Sequence, residues 1–203
     1  MASRIGAVIV TGSSRGIGAA TAVRLAASGC AVVLNHRRAE SLPLLQQVER
    51  RCRAAALEAN HEPRVALQQA DASTSAGAKA LVDAAAAAFP GVPLEGLVNN
   101  AGAASDALLV RQDADALDSC LATNLRSVAL TTKAAARVML RQRRASGGAG
   151  GGAAGGGGGG GRIVNVASVV GQAGGNGLGG GGGRTAYAAA KAGVVGYTRA
   201  AGT

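Results

Sequence analysis

Short apolar runs rich in β-branched residues alternate along this chain with longer alanine-rich stretches whose apolar positions recur every three or four residues. The first pattern is typical of buried strands, and the second is typical of helices that cover a sheet. The predicted strands are residues 5–10, 31–35, 65–69, 96–99 and 162–166. The predicted helices are residues 16–28, 40–58, 75–88, 113–144 and 184–201. The alternation predicts an α/β chain with a doubly wound parallel sheet between two helical layers, a three-layer αβα arrangement.

Glycine is unevenly distributed along the chain. Most of the 33 glycines fall in two tracts, residues 147–161 and 171–183, which lie between or beside predicted elements. Polyglycine loses much backbone entropy on ordering and has no side chain to bury. We therefore interpret both tracts as flexible loop insertions in one domain that spans residues 1–203.

The chain is basic, with 21 lysines and arginines against 11 aspartates and glutamates, which raises the possibility of a nucleic-acid ligand. However, the cations recur along the whole chain, and two tyrosines, one phenylalanine and no tryptophan are too few for a stacking platform. We therefore expect no nucleic-acid partner. The dense basic run at residues 137–144 is either a solvated helix face or a dock for an acidic partner.

Cysteine spacing and the absence of targeting signals bear on location. Cys30, Cys52 and Cys120 are far apart and lack CxxC spacing, so we expect neither disulfides nor a metal site. No signal peptide and no apolar run of membrane-spanning length occurs. These features predict a soluble cytoplasmic protein with no membrane partner, although an organelle stays open.

Residues 11–18 read TGSSRGIG and directly follow the first predicted strand. Glycines at such a strand-to-helix turn allow a tight bend and let backbone N–H groups approach a pyrophosphate at the helix N-terminus. The spacing is GxxxGxG rather than GxGxxG, and an ordinary turn can have the same composition. The candidate cofactor-binding residues here are Gly12, Ser14, Arg15, Gly16, Ile17 and Gly18.

The second predicted strand is followed by Arg37 and Arg38, and no carboxylate occurs before Glu40. Dinucleotide sites usually place an acid here for the ribose hydroxyls of NAD, whereas arginine accommodates the 2′-phosphate of NADP. Together with Arg15, the two arginines favour NADP(H), unless they merely decorate an exposed loop. Asp71, after the third strand, is placed either to accept a hydrogen bond from adenine or to cap the strand end.

Tyr187 and Lys191 are four residues apart on the last predicted helix, so their side chains share one face. A phenol is a poor acid-base catalyst at neutral pH until a neighbouring cation stabilises its anion, and Lys191 can supply that charge. Ser168 follows the fifth strand, at the edge where doubly wound sheets bind ligands. Alone, a tyrosine–lysine pair of this kind is also common on helix surfaces.

The order of these motifs resembles that of the short-chain dehydrogenase/reductase family. The motifs are TGSSRGIG at 11–18, Asp71, LVNNAG at 97–102, Asn124, Ser168 and Tyr187-x-x-x-Lys191. The resemblance runs from about residue 5 to the end of the chain. Residues 106–111, 163–171 and 187–197 are most similar to the 3-oxoacyl-[acyl-carrier-protein] reductase branch.

The resemblance implies a Rossmann-type fold and the reduction of a carbonyl to an alcohol. Tyr187 would donate the proton while the nicotinamide supplies hydride, and Lys191 would support Tyr187 and hold the nicotinamide ribose. Ser168 would orient the substrate, and Asn124 would hold a water that connects Lys191 to solvent. Further cofactor contacts would come from Tyr187, Asn99, Ala101 and Gly102, with Asn99 nearest the ribose. The implied substrate is a 3-oxoacyl thioester on acyl carrier protein in fatty acid synthesis, and the implied assembly is a homodimer or homotetramer.

The chain departs from the family pattern in two places. The second glycine tract lengthens the interval between Ser168 and Tyr187, which can loosen the catalytic geometry. The chain also stops at Thr203, so we expect the last strands and the substrate lid to be missing. Two alternatives stay open: a reductase for a sugar, steroid or small ketone, and a truncated non-catalytic module that dimerises through its last two predicted helices.

Overall fold

Five parallel strands form one sheet in the computed structural model, which describes residues 6–104, 109–145, 160–173 and 183–202. The strands are β1 Ala7–Val10, β2 Ala31–His36, β3 Val65–Gln69, β4 Leu94–Asn99 and β5 Arg162–Asn165. Their order is β3-β2-β1-β4-β5, and each neighbouring pair is parallel. The chain thus winds outward from β1 to β3 and returns to β4 on the other side of β1. This arrangement confirms the predicted doubly wound sheet and opens its crevice at the carboxyl ends of β1 and β4.

The helices in the described ranges lie on both faces of the sheet. They are α1 Gly16–Ala27, α2 Leu42–Glu58, α3 Ser75–Ala88, α4 Ala114–Leu121, α5 Ser127–Ala145, α6 Val170–Ala173 and α7 Thr185–Ala201. Side chains of β1 alternate between two cores: Val8 and Val10 pack with α1 and α2, whereas Ile9 packs with α3 and α5. Because helices cover both faces, all four β1 residues are buried, which explains the uninterrupted apolar run in the sequence.

The sequence correctly places most elements but misses a break in the predicted helix 113–144. In the structure this stretch comprises α4, a π-helical turn at Ala122–Arg126, and α5. The apolar periodicity runs through the turn, so the pattern alone does not reveal it. A π-helical turn is often found at a functional position, because it redirects the side chains it carries.

The interpretation of the second glycine tract as flexible coil is wrong at its start. Residues 171–173 are helical and belong to α6. A Cβ atom at Gly171 would lie 2.7 Å from the backbone nitrogen of Ala192, so α6 packs closely on α7 here. The rest of that tract up to residue 182, and residues 147–159 of the first tract, lie outside the described residues.

Strand β5 forms one edge of the sheet as described, where it pairs with β4. Val164 on this strand is 55% exposed, in contrast to the fully buried strands β1 and β2. Within the described ranges, no helix has the length and apolar character needed to cross a membrane. All three cysteines are free thiols.

Candidate active site

The turn between β1 and α1 requires glycine for two different reasons. Gly12 and Gly16 have φ angles of +62° and +58°, a conformation that other residues adopt at a cost. Gly12 is also crowded, because a Cβ atom there would lie 2.8 Å from the Cα of Ala101. A Cβ atom at Gly18 would lie 2.6 Å from the carbonyl oxygen of Gly12. The first turn of α1 therefore approaches the strand ends closely, with its N-terminus open to the crevice.

Asn35, near the end of β2, fixes this turn from one side. Its side-chain oxygen accepts a hydrogen bond from the Gly12 nitrogen at 3.2 Å, and its backbone nitrogen donates to Ser13 Oγ at 2.8 Å. Its Nδ2 donates to the carbonyl oxygen of Gln68, within β3, and to that of Ala70, just after β3. The sequence analysis did not single out Asn35, although an asparagine inside an apolar strand was a usable signal.

Asn100 fixes the turn from the other side. Its Nδ2 donates to the carbonyl oxygens of Thr11 and Gly12, at 3.0 and 3.1 Å. Thr11 Oγ1 in turn accepts hydrogen bonds from the backbone nitrogens of Asn100 and Ala101, both at 3.0 Å. The turn is thus held between the ends of β2 and β4.

A cleft of about 470 Å³ opens beside this turn at the carboxyl ends of the strands. The predicted cofactor residues that line it are Gly12, Ser14, Arg15, Ile17, Arg37, Arg38, Asp71, Ala101 and Gly102. Asn100, which belongs to the LVNNAG motif, also lines the cleft, and lining residues not predicted from the sequence include Asn35, Ser73, Ala103, Thr123 and Ser127. Gly16, Gly18, Tyr187 and Lys191 do not line the cleft, and Gly18 supports the turn from beneath.

Asn99, predicted to lie nearest the ribose, points away from this cleft. Its Oδ1 accepts a hydrogen bond from Thr131 Oγ1 at 2.6 Å, and its Nδ2 donates to Thr132 Oγ1 at 3.0 Å and to Asn165 Oδ1 at 2.8 Å. Only 3% of Asn99 is exposed. Asn99 therefore joins β4 to α5 and β5, and its neighbour Asn100 lines the cleft instead.

Positive charge is concentrated at the end of the cleft next to β2 and β3. Arg15 and Arg38 line both this cleft and a second cavity that shares lining residues with it, so the two arginines border the same space. Burial opposes ionisation of Asp71, but hydrogen bonds from Ser73 and the charges of Arg37 and Arg126 outweigh it and lower the pKa of Asp71. Asp71 is therefore an anion at neutral pH and can accept a hydrogen bond from a ligand.

Lys191 and Tyr187 lie together on α7, as their spacing predicts. Lys191 is buried, and its Nζ lies 5.8 Å from the centre of the Tyr187 ring and donates to the Val166 carbonyl oxygen at 2.7 Å. Burial lowers the pKa of Lys191 below its ordinary value, because desolvation disfavours the ammonium ion. A half-buried tyrosine thus stands beside a buried cation.

Asn124 reaches the same region from the π-helical turn. Its side chain is fully buried; Nδ2 donates to the carbonyl oxygen of Ala103 at 2.9 Å, and Oδ1 accepts from the Ala103 nitrogen at 3.1 Å. A Cβ atom at Gly102 would lie 2.8 Å from Asn124 Oδ1 and 3.6 Å from Lys191 Nζ. Asn124 and Lys191 therefore both lie close to Gly102, which lines the cleft.

Ser168 lies between β5 and α6. Its Oγ accepts a hydrogen bond from the Val170 nitrogen at 3.3 Å, and its carbonyl oxygen accepts one from the Gly171 nitrogen at 3.0 Å. Since Gly171 packs on the backbone of Lys191, the start of α6 connects Ser168 to α7. Tyr187 and Lys191 thus lie on α7, Asn124 lies near Lys191 at Gly102, and Ser168 precedes α6, which packs on α7.

Comparisons with known proteins agree with this geometry. The family model for short-chain dehydrogenases matches residues 6–203. The chain is 35% identical over 191 residues to a 3-oxoacyl-[acyl-carrier-protein] reductase from Synechocystis sp., covering 94% of this chain and 64% of that protein. It is 32% identical over 197 residues to the human (3R)-3-hydroxyacyl-CoA dehydrogenase, covering 95% and 65%.

The fold has a similar counterpart among solved structures. The crystal structure of levodione reductase superposes with a TM-score of 0.73 and 31% sequence identity, covering 97% of this chain and 64% of that one. The chain therefore spans about 64% of the length of the relatives that it matches. With the family match over residues 6–203 and the glycine turn, Tyr187 and Lys191 in place, the chain belongs to the short-chain dehydrogenase/reductase family.

Proposed function

We propose that this protein reduces a carbonyl group to an alcohol with NADPH, and that its substrate is a 3-oxoacyl thioester. The observation that carries the proposal is the group at the end of the cleft: Tyr187 beside the buried ammonium of Lys191, with Asn124 next to it. A proton donor, a cation that stabilises its conjugate base, and an adjoining nucleotide-sized cleft are the parts that carbonyl reduction needs.

The residues around the cleft fit a dinucleotide that carries a 2′-phosphate. The crowding at Gly12 leaves room only for backbone, which suits close approach by a pyrophosphate. Arg15 and Arg38 line a common space together with one carboxylate, Glu40, so cations outnumber acids there, which suits a phosphate. The two residues that directly follow β2 are arginines and not an acid that would bind ribose hydroxyls. We propose that Asp71 accepts from the adenine and that Ala101 and Gly102 contact the cofactor. When bound, NADPH supplies the hydride.

The side chains of this chain handle the proton. We propose that the Tyr187 hydroxyl donates its proton to the carbonyl oxygen as the carbon receives the hydride, and that Ser168 donates a hydrogen bond to the same oxygen. Lys191 stabilises the resulting phenolate and binds the nicotinamide ribose. Asn124, linked to Lys191 around Gly102, holds a water through which Tyr187 regains its proton.

Two relatives support the thioester substrate, since one is a 3-oxoacyl-[acyl-carrier-protein] reductase and another a (3R)-3-hydroxyacyl-CoA dehydrogenase. The basic end of α5 suits an acidic carrier protein; its residues are Arg137, Arg141, Arg143 and Arg144. The similarity to levodione reductase supports a small ketone as the second candidate. We further propose one NADP-binding domain over residues 1–203 and a cytoplasmic homodimer or homotetramer formed through α5 and α7.

Substrate and cofactor choice test this proposal together. The full chain is supplied with NADPH or NADH and with either an acetoacetyl thioester or a cyclic diketone, and oxidation of the nucleotide is followed. We expect turnover with NADPH and the thioester. Arg38→Ala should weaken the binding of NADPH, but not of NADH, by roughly tenfold or more, because it removes a charge-assisted hydrogen bond.

Arg50→Ala, at an exposed position on α2, is the matched control and should change neither cofactor. Faster turnover of the diketone would indicate that the substrate is a small ketone and not a thioester. NADPH binding without turnover of either carbonyl compound would favour a non-catalytic module.

A further inference from the structure

Arg126 ties the turn that carries Asn124 to the loop after β3, which lines the cleft. Arg126 is the last residue of the π-helical turn, and its Nε donates to the carbonyl oxygen of Ser73 at 3.0 Å. Ser73 in turn donates to Asp71 Oδ1 from its backbone nitrogen at 2.9 Å and from its hydroxyl at 2.7 Å. A single guanidinium group therefore links the π-helical turn to the loop that carries Asp71.

A second contact runs in the same direction. Thr123, which precedes Asn124, accepts a hydrogen bond at 3.5 Å from Arg37 Nη1. Thr123, Asp71 and Ser73 all line the cleft, whereas Arg126 is not among its lining residues. A ligand in this part of the cleft can contact both the loop of Asp71 and the start of the π-helical turn, which Arg126 joins to each other. Filling the nucleotide end thus bears directly on the position of the turn.

The position of the π-helical turn determines where the Asn124 side chain lies relative to Lys191. Asn124 lies two residues before Arg126 and makes paired hydrogen bonds with Ala103, and Gly102 separates it from Lys191. π-helical turns are frequently found at functional sites, so the outside contacts that hold this one bear on the position of Asn124. The described contacts that hold this turn from the nucleotide side are those of Arg126 and Thr123.

We propose that Arg126 is a positioning residue that transmits occupancy of the adenosine end of the cleft to Asn124, and so couples nucleotide binding to assembly of the reacting centre. This inference rests on the proposed function, because it assumes that a nucleotide occupies the cleft. Arg126 itself does not touch the reacting atoms.

The test uses adenosine 2′,5′-bisphosphate, which fills the adenosine end without a nicotinamide. The backbone amide of Ala103 is the reporter, because it donates to Asn124 Oδ1. In the wild-type chain, the bisphosphate should slow hydrogen exchange at Ala103 by roughly tenfold and sharpen the Asn124 side-chain amide signals in NMR spectra, as local opening becomes rarer. Arg126→Met keeps the aliphatic packing but removes the donor, so it should bind the bisphosphate within about threefold of wild type yet lose the slowing at Ala103.

Two further variants make the outcome specific. Arg126→Lys keeps a cationic donor and should recover part of the slowing, and it replaces Arg126→Met if that variant does not fold. Arg50→Ala, at an exposed position on α2, should behave as wild type. Equal slowing at Ala103 in Arg126→Met and wild type would overturn the inference while leaving the proposed function intact. Failure of the folded wild-type chain to bind the bisphosphate would instead count against the NADP site itself.

Discussion

The nucleotide side and the reacting side of the cleft are built differently. On the nucleotide side, every residue of β1 and β2 is buried, and Asn35 and Asn100 hold the glycine turn with a mesh of hydrogen bonds. On the reacting side, β5 alternates between exposed and half-buried residues, and the proposed catalytic groups lie on α7, on the π-helical turn and between β5 and α6. The proposed cofactor site is therefore part of the fold's core, whereas the proposed reacting groups lie beside the partly exposed strand β5.

This difference predicts two kinds of failure. Changes in the glycine turn should reduce stability and nucleotide binding together, because the same contacts serve both. Changes on α7 should remove turnover and leave the fold nearly untouched. Each of the following substitutions tests that division.

Tyr187→Phe is expected to have the largest effect. Removing the proton donor should lower kcat by about 10²–10⁴-fold, the usual contribution of general acid catalysis. The melting temperature should stay at the wild-type value, and the affinity for NADPH should change much less than kcat, because the Tyr187 side chain does not line the cleft beside the glycine turn. Steady-state kinetics and a nucleotide titration measure the two quantities.

Tyr197→Phe is the matched control on the same helix. Tyr197 donates to the Ala129 carbonyl oxygen at 3.5 Å, far from the proposed proton transfer along the helix. Its loss should leave kcat unchanged. A similar fall in kcat for both variants would show that α7 was disturbed as a whole, so the fall could not be assigned to the Tyr187 hydroxyl.

Gly12→Ala should damage both fold and binding on the nucleotide side. The left-handed φ of Gly12 costs an alanine about 1–2 kcal/mol, and the clash with Ala101 adds roughly 1–3 kcal/mol. Gly91→Ala separates these causes, since Gly91 has a φ of +76° but no atom within 4 Å of its missing Cβ. Denaturant unfolding should show the larger loss for Gly12→Ala, and that variant alone should lose NADPH binding. Equal losses of stability in Gly12→Ala and Gly91→Ala would show that the close contact between Gly12 and Ala101 does not affect stability.

Lys191→Met should change stability little at neutral pH. The variant leaves the Val166 carbonyl oxygen without its 2.7 Å partner but relieves the burial of an ammonium group, so we expect a net change within about 1 kcal/mol. The pH dependence is more informative. Because the folded-state pKa of Lys191 lies below its ordinary value of 10.5, the folded chain binds fewer protons than the unfolded chain between these values.

Wild-type stability relative to Lys191→Met should therefore rise as pH increases toward 10.5. Urea unfolding of both proteins across this range gives the difference. Lys133→Met, at an exposed position on α5, controls for loss of a lysine in general. A difference that stays flat with pH would mean that burial of Lys191 carries no penalty.

Asp71→Asn should have the smallest effect on stability. Burial works against ionisation, but the Ser73 hydrogen bonds and the charges of Arg37 and Arg126 give the folded state a lowered pKa for Asp71. Its stabilising contribution is present above the ordinary value of 3.8 and is lost as pH falls through the lowered folded-state value. Unfolding curves of the wild type and the variant should thus converge in acid. Curves that stay equally far apart at every pH would exclude ionisation as the cause.

The sequence predicts the sheet and the glycine turn well because local patterns determine them. Buried parallel strands give uninterrupted apolar runs, and the spacing of Tyr187 and Lys191 alone places both on one face of a helix. The π-helical turn escapes prediction because the residues around Asn124 keep a helical periodicity, and only their packing distinguishes the two forms.

The direction of Asn99 was equally hidden from the sequence. Asn99 and Asn100 are identical neighbours, and which of them faces the cleft depends on how β4 pairs with β1 and β5. Asn35 and Arg126 were missed for a related reason, since their partners are distant in the chain. The roles of Ser168, Tyr187, Lys191 and Asn124 in catalysis stay predictions.

We expect the nucleotide side of this chain to form a complete binding site for NADP(H). Calorimetric titration of the full chain with NADPH and with NADH tests for this site, because binding requires neither substrate nor turnover. We expect NADPH to bind and NADH to bind at least roughly tenfold more weakly, since Arg15 and Arg38 meet the 2′-phosphate only in NADPH. A folded chain that binds neither nucleotide, or binds both equally, would contradict the account.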